Sequence, residues 1–270
     1  MAIPKDLRSS LLGFSDDEAV RLERGDLLIH RVFPFDRFVD ILRSGSLALV
    51  KPKLWEDPYE NPLNREFTES DTGKKFRVPH YEHGLFGQCW SLCFESDATW
   101  RIYSGDKRGV LVSANAAALF RTAKLRFPHP TEMLSLGKVQ YKSKADLKSL
   151  FESKAFLREI LTAGMYSHGS SKALLYKRDS FKHEEEVRLV LSRHISDVPG
   201  DLCFVDVDLD QTFVQATLDP RLSDLDFDRA AFLIKSAGFK GPVEPSQLYD
   251  MPDLSLTIPN LTWLHAKGSA

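Results

Sequence analysis

Phe181-Lys182-His183-Glu184-Glu185-Glu186-Val187-Arg188-Leu189-Val190-Leu191 is the stretch whose reading decides the fold. It reads as a strand leaving a loop. A period of two puts Val187, Leu189 and Leu191 on one face, and Glu184, Glu186 and Arg188 together on the other. Three charged side chains on one face are costly to bury without partners. The strand therefore either faces water along a sheet edge or lines a polar cleft that holds a carboxylate pair and a cation.

Elements on either side follow from the same rules. Ser15-Asp16-Asp17-Glu18 is a capping box before a short helix ending near Gly25. Leu28 to Val32 is apolar enough for a strand and carries His30 and Arg31. Phe35, Phe38, Val39 and Leu42 form a helical stripe that Gly45 closes. Ser46 to Val50 reads as a strand. Residues 51 to 83 show no period and many charges, and a loop that long inside a domain is usually functional or mobile. Leu85 to Phe94 is strand-like. Ser96 caps a helical turn carrying Trp100 and Tyr103, and Val110 to Val112 is a strand before an Asn115-capped helix. Lys144 to Tyr166 is the best amphipathic helix, and Ser170 to Lys177 is expected to be helical. Leu202 to Leu209 and Thr212 to Leu218 are strands, and Asp228 to Ala237 is a helix closed by Gly238. Strands and helices mix without βαβ alternation. That predicts one α+β domain over residues 1–270, with an N-terminal helix at 15–24 and a frayed tail at 265–270.

The totals set bounds. A chain of 270 residues, 43% hydrophobic, can bury a sizeable core. A net charge of −2 gives no argument for non-specific nucleic-acid binding, although a local basic groove stays open. Three cysteines, Cys89, Cys93 and Cys203, do not make a disulfide framework. No apolar run reaches the roughly 18 residues of a membrane span, and Met-Ala-Ile-Pro-Lys-Asp lacks the order of a signal peptide. The expectation is a cytoplasmic protein.

Motifs for common chemistries are missing. His80, His83, Cys89 and Cys93 are zinc ligands by type, but their spacing is wrong. Two cysteines four residues apart on a strand are separated by about 13 Å. No metal site is expected, and the thiols are read as small apolar groups. There is no nucleophile elbow and no P-loop. Trp100 and Tyr103 lie one helical turn apart. They form either a core stripe or a platform for stacking a ring.

Four segments taken together resemble the bacterial family known as domain of unknown function 2971. They are Leu28-Ile29-His30-Arg31 leading into the Phe35–Gly45 helix; Trp55-Glu56-Asp57-Pro58-Tyr59-Glu60; Cys93-Phe94 with Trp100, Tyr103 and Arg108-Gly109-Val110; and Tyr176-Lys177 leading to Phe181-x-x-Glu184-x-Glu186-x-Arg188. Two positions depart from that pattern: His30 stands where an aromatic residue is commoner, and Trp55-Glu56 replaces aromatic–Asn. The family-like core spans about residues 28–220.

A second resemblance, at the level of fold, is to ADP-ribosyltransferases. It implies an α+β core of two packed mixed β-sheets with flanking helices, gripping NAD as substrate. By that resemblance Glu186, Glu184 and Arg188 are the catalytic candidates. His30 or Arg31, Trp100 with Tyr103, and Lys177 are the nucleotide-binding candidates. The activity implied is transfer of ADP-ribose from NAD to a protein or nucleic-acid acceptor, with a toxin or phage-defence role by analogy. Two alternatives stay open. One is a non-catalytic module binding a nucleotide or a nucleic-acid end. The other is a nuclease with magnesium on Glu184, Glu186 and Asp57, the two glutamates lying about 7 Å apart along the strand.

Overall fold

The computed structural model describes residues 5–127, 132–162, 168–193 and 200–257. The expected tail lies outside them. The chain opens with β1 (Leu11–Leu12), α1 (Asp16–Arg24), β2 (Leu28–Pro34), α2 (Phe35–Ser44) and β3 (Ser46–Val50). The irregular segment that follows holds only short pieces, β4 (Phe67–Thr68), β5 (Lys75–Phe76) and α3 (Pro79–His83). Next come β6 (Leu85–Ser91), α4 (Asp97–Tyr103), β7 (Gly109–Asn115), α5 (Ala116–Lys124), β8 (Met133–Lys138) and β9 (Gln140–Lys142). Then follow α6 (Lys144–Phe151), α7 (Lys154–Thr162), α8 (His168–Lys172), β10 (Tyr176–Arg178), a 3-10 turn (Asp179–Glu184) and β11 (Glu186–Ser192). The last elements are β12 (Leu202–Asp206), α9 (Leu209–Thr212), β13 (Phe213–Leu218), α10 (Asp224–Ser236) and β14 (Val243–Pro245).

The fold is α+β with a mixed sheet. Among the described residues ten strands join in the order β1-β8-β11-β6-β2-β7-β13-β14, with β3 and β12 branching from β6. The β1–β8 and β13–β14 pairs are parallel, and the others in this assembly are antiparallel. The assembly has two halves. One is built on β11, β6 and β8, the other on β2, β7 and β13. They touch through a single residue pair, His30 with Ser91. Past that pair the strands diverge, and the inner faces of both halves share one core. Val187, Leu189, Leu191, Phe86 and Trp90 meet Ile29, Phe33, Val110 and Val112 there, closed by α2 and α5. Phe33 packs edge-on against Trp90 at 5.9 Å.

β11 is not an edge. It lies between β6 and β8, and all seven of its residues are buried. The solvated reading of its charged face is therefore excluded. The strand also starts later than its period suggests. Glu185 sits in the left-handed region at φ 42°, and Glu184 belongs to the 3-10 turn before it.

Two helix expectations need correction. The long helix from Lys144 is two, because Ser153 accepts from Phe156 N and opens a second helix. Its expected end at Tyr166 lies outside the described residues. The Ser170–Lys177 stretch leaves the helix at Lys172. Gln140 N then bonds Leu175 O, and Lys177 joins a strand paired with β9. No helix among the described residues is long and apolar enough to cross a membrane.

Candidate active site

Register brings the candidate residues together. Glu186 on β11 and His30 on β2 are both paired with Ser91 of β6, and His30 is also paired with Ser113 of β7. Directly opposed residues of antiparallel strands point to the same face. Glu186, Ser91, His30 and Ser113 thus form one row across four strands. Two strand spacings separate Glu186 from His30, about 10 Å at the backbone. The row lies on the outer face of the sheet, away from the shared core.

At the Glu186 end the row is covered by an ion network. Arg188, fully buried, donates from Nε to Glu186 Oε1 at 2.8 Å and from Nη2 to Glu186 Oε2 and Glu60 Oε1, each at 2.9 Å. Its Nη1 donates to the carbonyl of Leu174. The Trp55 ring lies over its guanidinium at 4.4 Å. Lys177 Nζ reaches Glu184 at 2.6 Å, Glu60 at 2.8 Å and Glu186 at 3.2 Å. The irregular segment after β3 is the roof: it supplies Trp55 and Glu60, and Asp57 pairs with Arg178 at 3.0 Å. Burial alone would raise the Glu186 carboxyl, but the charge and hydrogen bonds of Arg188, with Lys177, outweigh it and leave it at about 2. Burial alone would lower Lys177, but the carboxylates of Glu186, Glu60 and Glu184 outweigh it and raise the amine. Three carboxylates against two cations leave the network with one net negative charge.

Access distinguishes the two glutamates. The Glu186 side chain is 4% exposed, and that of Glu184 is 15% exposed. Tyr103, a half-exposed residue, donates its hydroxyl to Glu184 Oε1 at 3.3 Å. Burial, reinforced by Glu184, pushes that phenol up to about 12, so it is a neutral donor. The left-handed Glu185 turns Glu184 out of the strand. The more accessible carboxylate is therefore Glu184, with Glu186 buried behind it.

His30 donates to or accepts from Ser113 Oγ through Nδ1 at 2.9 Å, and its ring meets Phe94 edge-on at 5.2 Å. Burial lowers it to about 4, so it is neutral at pH 7 and carries no charge for a phosphate. Arg31 sits where the sheet halves diverge. It donates from Nη1 to the Cys89 carbonyl, while its Nε is buried with no hydrogen-bond partner.

Other expectations are corrected. Trp100 is fully buried against Val32 and Leu111, and its Nε1 donates to Glu95 at 2.8 Å, so it is core and no stacking platform. Tyr103 and Phe94 are the exposed rings here. Arg188 and Lys177 are buried and fully engaged, which suits neither to direct substrate contact. Glu184, Glu186 and Asp57 each hold a cationic side chain where the nuclease reading needs a metal. Among the described residues no three His, Cys, Asp or Glu side chains converge for a metal ion. Burial and the neighbouring Glu186 push the Cys89 thiol up, so it is no nucleophile. Ser91, Ser113, Phe94 and Glu60 had no role in the sequence reading. Only Phe94 and Glu60 left a signal there, each at the end of a short family-like segment. Two surface cavities, of about 640 and 450 Å³, lie elsewhere, against α9 and against the N-terminal half of α10.

The model of a family described as "Protein of unknown function (DUF2971)" matches residues 99–189. The chain resembles that family over this region, which contains Tyr103, Lys177, Glu184, Glu186 and Arg188 but not His30 or the roof. No curated protein matches. Among solved structures, the chain is similar to DarT of Thermus sp. 2.9 in complex with NAD+, at 10% identity and a TM-score of 0.36, over 82% of this chain and 96% of that one. The same protein in complex with ADP-ribosylated ssDNA gives 10% identity and 0.37, over 82% and 94%.

Proposed function

We propose that this protein transfers ADP-ribose from NAD to an acceptor, with Glu184 as the carboxylate that meets the substrate. One observation carries the reading: Glu186, Ser91, His30 and Ser113 line up across the junction of the two sheet halves, with Glu184 and Tyr103 above them. Segments far apart in sequence converge there, which supports the reading.

The chemistry needs a site that favours positive charge. As the C1′–N bond breaks, nicotinamide leaves with the bonding pair and the ribose becomes oxocarbenium-like. A preorganised network of net charge −1 stabilises that cation without reorganising. Arg188 and Lys177 hold the carboxylates in place. The acceptor nucleophile then bonds to C1′, and its proton passes to Glu184. Neutral His30 suits a ribose hydroxyl. Strand alternation puts Arg31 with Ile29 and Phe33 toward the core face and its Nε is buried, so it is not the group that meets a ligand on the His30 face. Tyr103 or Phe94 offers a ring face for nicotinamide.

A binding module is the second reading, favoured by the full engagement of both Glu186 oxygens. Incubation with NAD labelled in its adenylate half, with and without cell extract, separates the two. Transfer is expected to release nicotinamide and label an acceptor, and Glu184→Gln is expected to lower the rate by about 10²-fold or more. A rise in melting temperature with NAD and no nicotinamide release would establish binding without turnover. Neither signal would end both readings.

A further inference from the structure

We infer that Ser104, Asp219 and Arg221 form a clamp that positions Tyr103 against Glu184, so that these three are positioning residues for the active site. The inference rests on the function proposed above only in its kinetic consequence.

The clamp lies at the C-terminal end of α4, one residue beyond Tyr103. Ser104 and Asp219 are 1% and 2% exposed. Ser104 Oγ donates to Asp219 Oδ2 at 2.5 Å and accepts from Gly109 N at 2.8 Å. Arg221 grips the same carboxylate with Nε on Oδ1 at 2.8 Å and Nη2 on Oδ2 at 2.5 Å. Its Nη2 also donates to two carbonyls, Ser104 O of the C-cap of α4 at 2.6 Å and Trp100 O within α4 at 3.2 Å. Both carbonyls already accept a backbone N–H, Trp100 O from Ser104 and Ser104 O from Lys107, and the Arg221 cation adds to them at the negative end of the helix. This four-way contact ties the end of α4 to the segment between β13 and α10, which itself touches none of the candidate catalytic residues.

The position is tight as well as bonded. A Cβ at Gly109 would lie 2.7 Å from Ser104 Cβ and 2.9 Å from Val32 Cγ1. The backbone of β7 is thereby pressed against the clamp. Tyr103, at the end of a helix whose middle Trp100 anchors in the core, is held less firmly than that ring. It is half-exposed, and α4 is only seven residues long, too short to be stable alone. With Trp100 holding the middle of α4, the clamp at its C-terminal end sets the direction from which the Tyr103 hydroxyl approaches Glu184.

The test reads the Tyr103–Glu184 contact directly. The protein is labelled with 3-fluorotyrosine, and the Tyr103 fluorine resonance is assigned by its loss in Tyr103→Phe. In the otherwise native protein, Glu184→Gln is expected to shift that resonance. In Arg221→Lys, which keeps the charge but cannot span carboxylate and carbonyls together, the response to Glu184→Gln is expected to vanish. NAD turnover in Arg221→Lys is expected to fall about tenfold in kcat, with KM for NAD within about twofold. If Arg221→Lys does not fold, Asp219→Asn replaces it. A folded clamp variant whose Tyr103 resonance still responds fully to Glu184→Gln overturns the clamp. Absence of turnover in the unsubstituted protein overturns the transferase reading and leaves the resonance test standing.

Discussion

Glu184 and Glu186, two residues apart, are predicted to answer the same substitution in opposite ways. Glu186→Gln takes a charge from Arg188 and Lys177, both buried, and is expected to destabilise by about 3–5 kcal/mol. Glu184→Gln leaves a partner on Lys177 and water at its edge. It is expected to cost about 1 kcal/mol or less while lowering the transfer rate by about 10²-fold or more. Urea denaturation of the two variants beside nicotinamide release separates anchor from reactant. A second prediction concerns acid. His30 falls from 6.5 in the unfolded chain to about 4 in the fold, so the fold favours the neutral ring. Its contribution is complete above pH 6.5 and is lost as pH falls toward 4, on the order of 3 kcal/mol. Glu186 is lowered from 4.5 to about 2, so its contribution holds above pH 4.5 and is lost below. Stability should therefore decline in two windows. His30→Gln should flatten the upper one in part, since His168 is also lowered by burial, and should leave the lower one unchanged.

At the scale of elements, the roof and the sheet are matched through a glycine. A Cβ at Gly87 would lie 2.7 Å from Trp55 Cζ2. Only a residue without one lets the indole lie flat on β6 and cover Arg188. Gly87→Ala is expected to destabilise by about 1–3 kcal/mol by overpacking. It should also loosen Trp55, seen as a change in its fluorescence against Trp55→Phe. An unchanged melting curve and spectrum would show that the roof packs independently of β6. The same pairing explains why residues 51–83 looked shapeless. Among them Trp55, Asp57 and Glu60 are held by Arg188, Lys177 and Arg178, which lie more than a hundred residues away. Local periodicity carries no trace of such partners.

For the whole molecule, the two sheet halves meet through one backbone pair and diverge at Arg31. A ligand seated across the junction contacts both halves and binds only the folded state. NAD in hundredfold excess over its Kd should then add about 2.7 kcal/mol, read as a higher melting temperature. His30→Ala should reduce that rise, because His30 stands in the row at the junction where the ribose is proposed to lie. A ligand-induced rise that survives His30→Ala undiminished would place the ribose elsewhere.

Much of this protein was determined by sequence alone. Caps, glycine stops and apolar periods located α1, α2, β2, β3, β6, α4 and β13, since those signals act within a few residues. The alternation in Val187, Leu189 and Leu191 correctly gave the core face of β11. The family likeness over residues 99–189 was also legible. Tertiary structure decided what the charges mean. Glu186 and Arg188 read equally as solvated, catalytic or buried, because period fixes a face and not what covers it. The roof covered them. Trp100 and Tyr103 share a helix, but Glu95 and the core took one ring while Glu184 took the other. The convergence of His30 with Glu186 depended on strand order, which long-range pairing energy selects and no short stretch of sequence encodes.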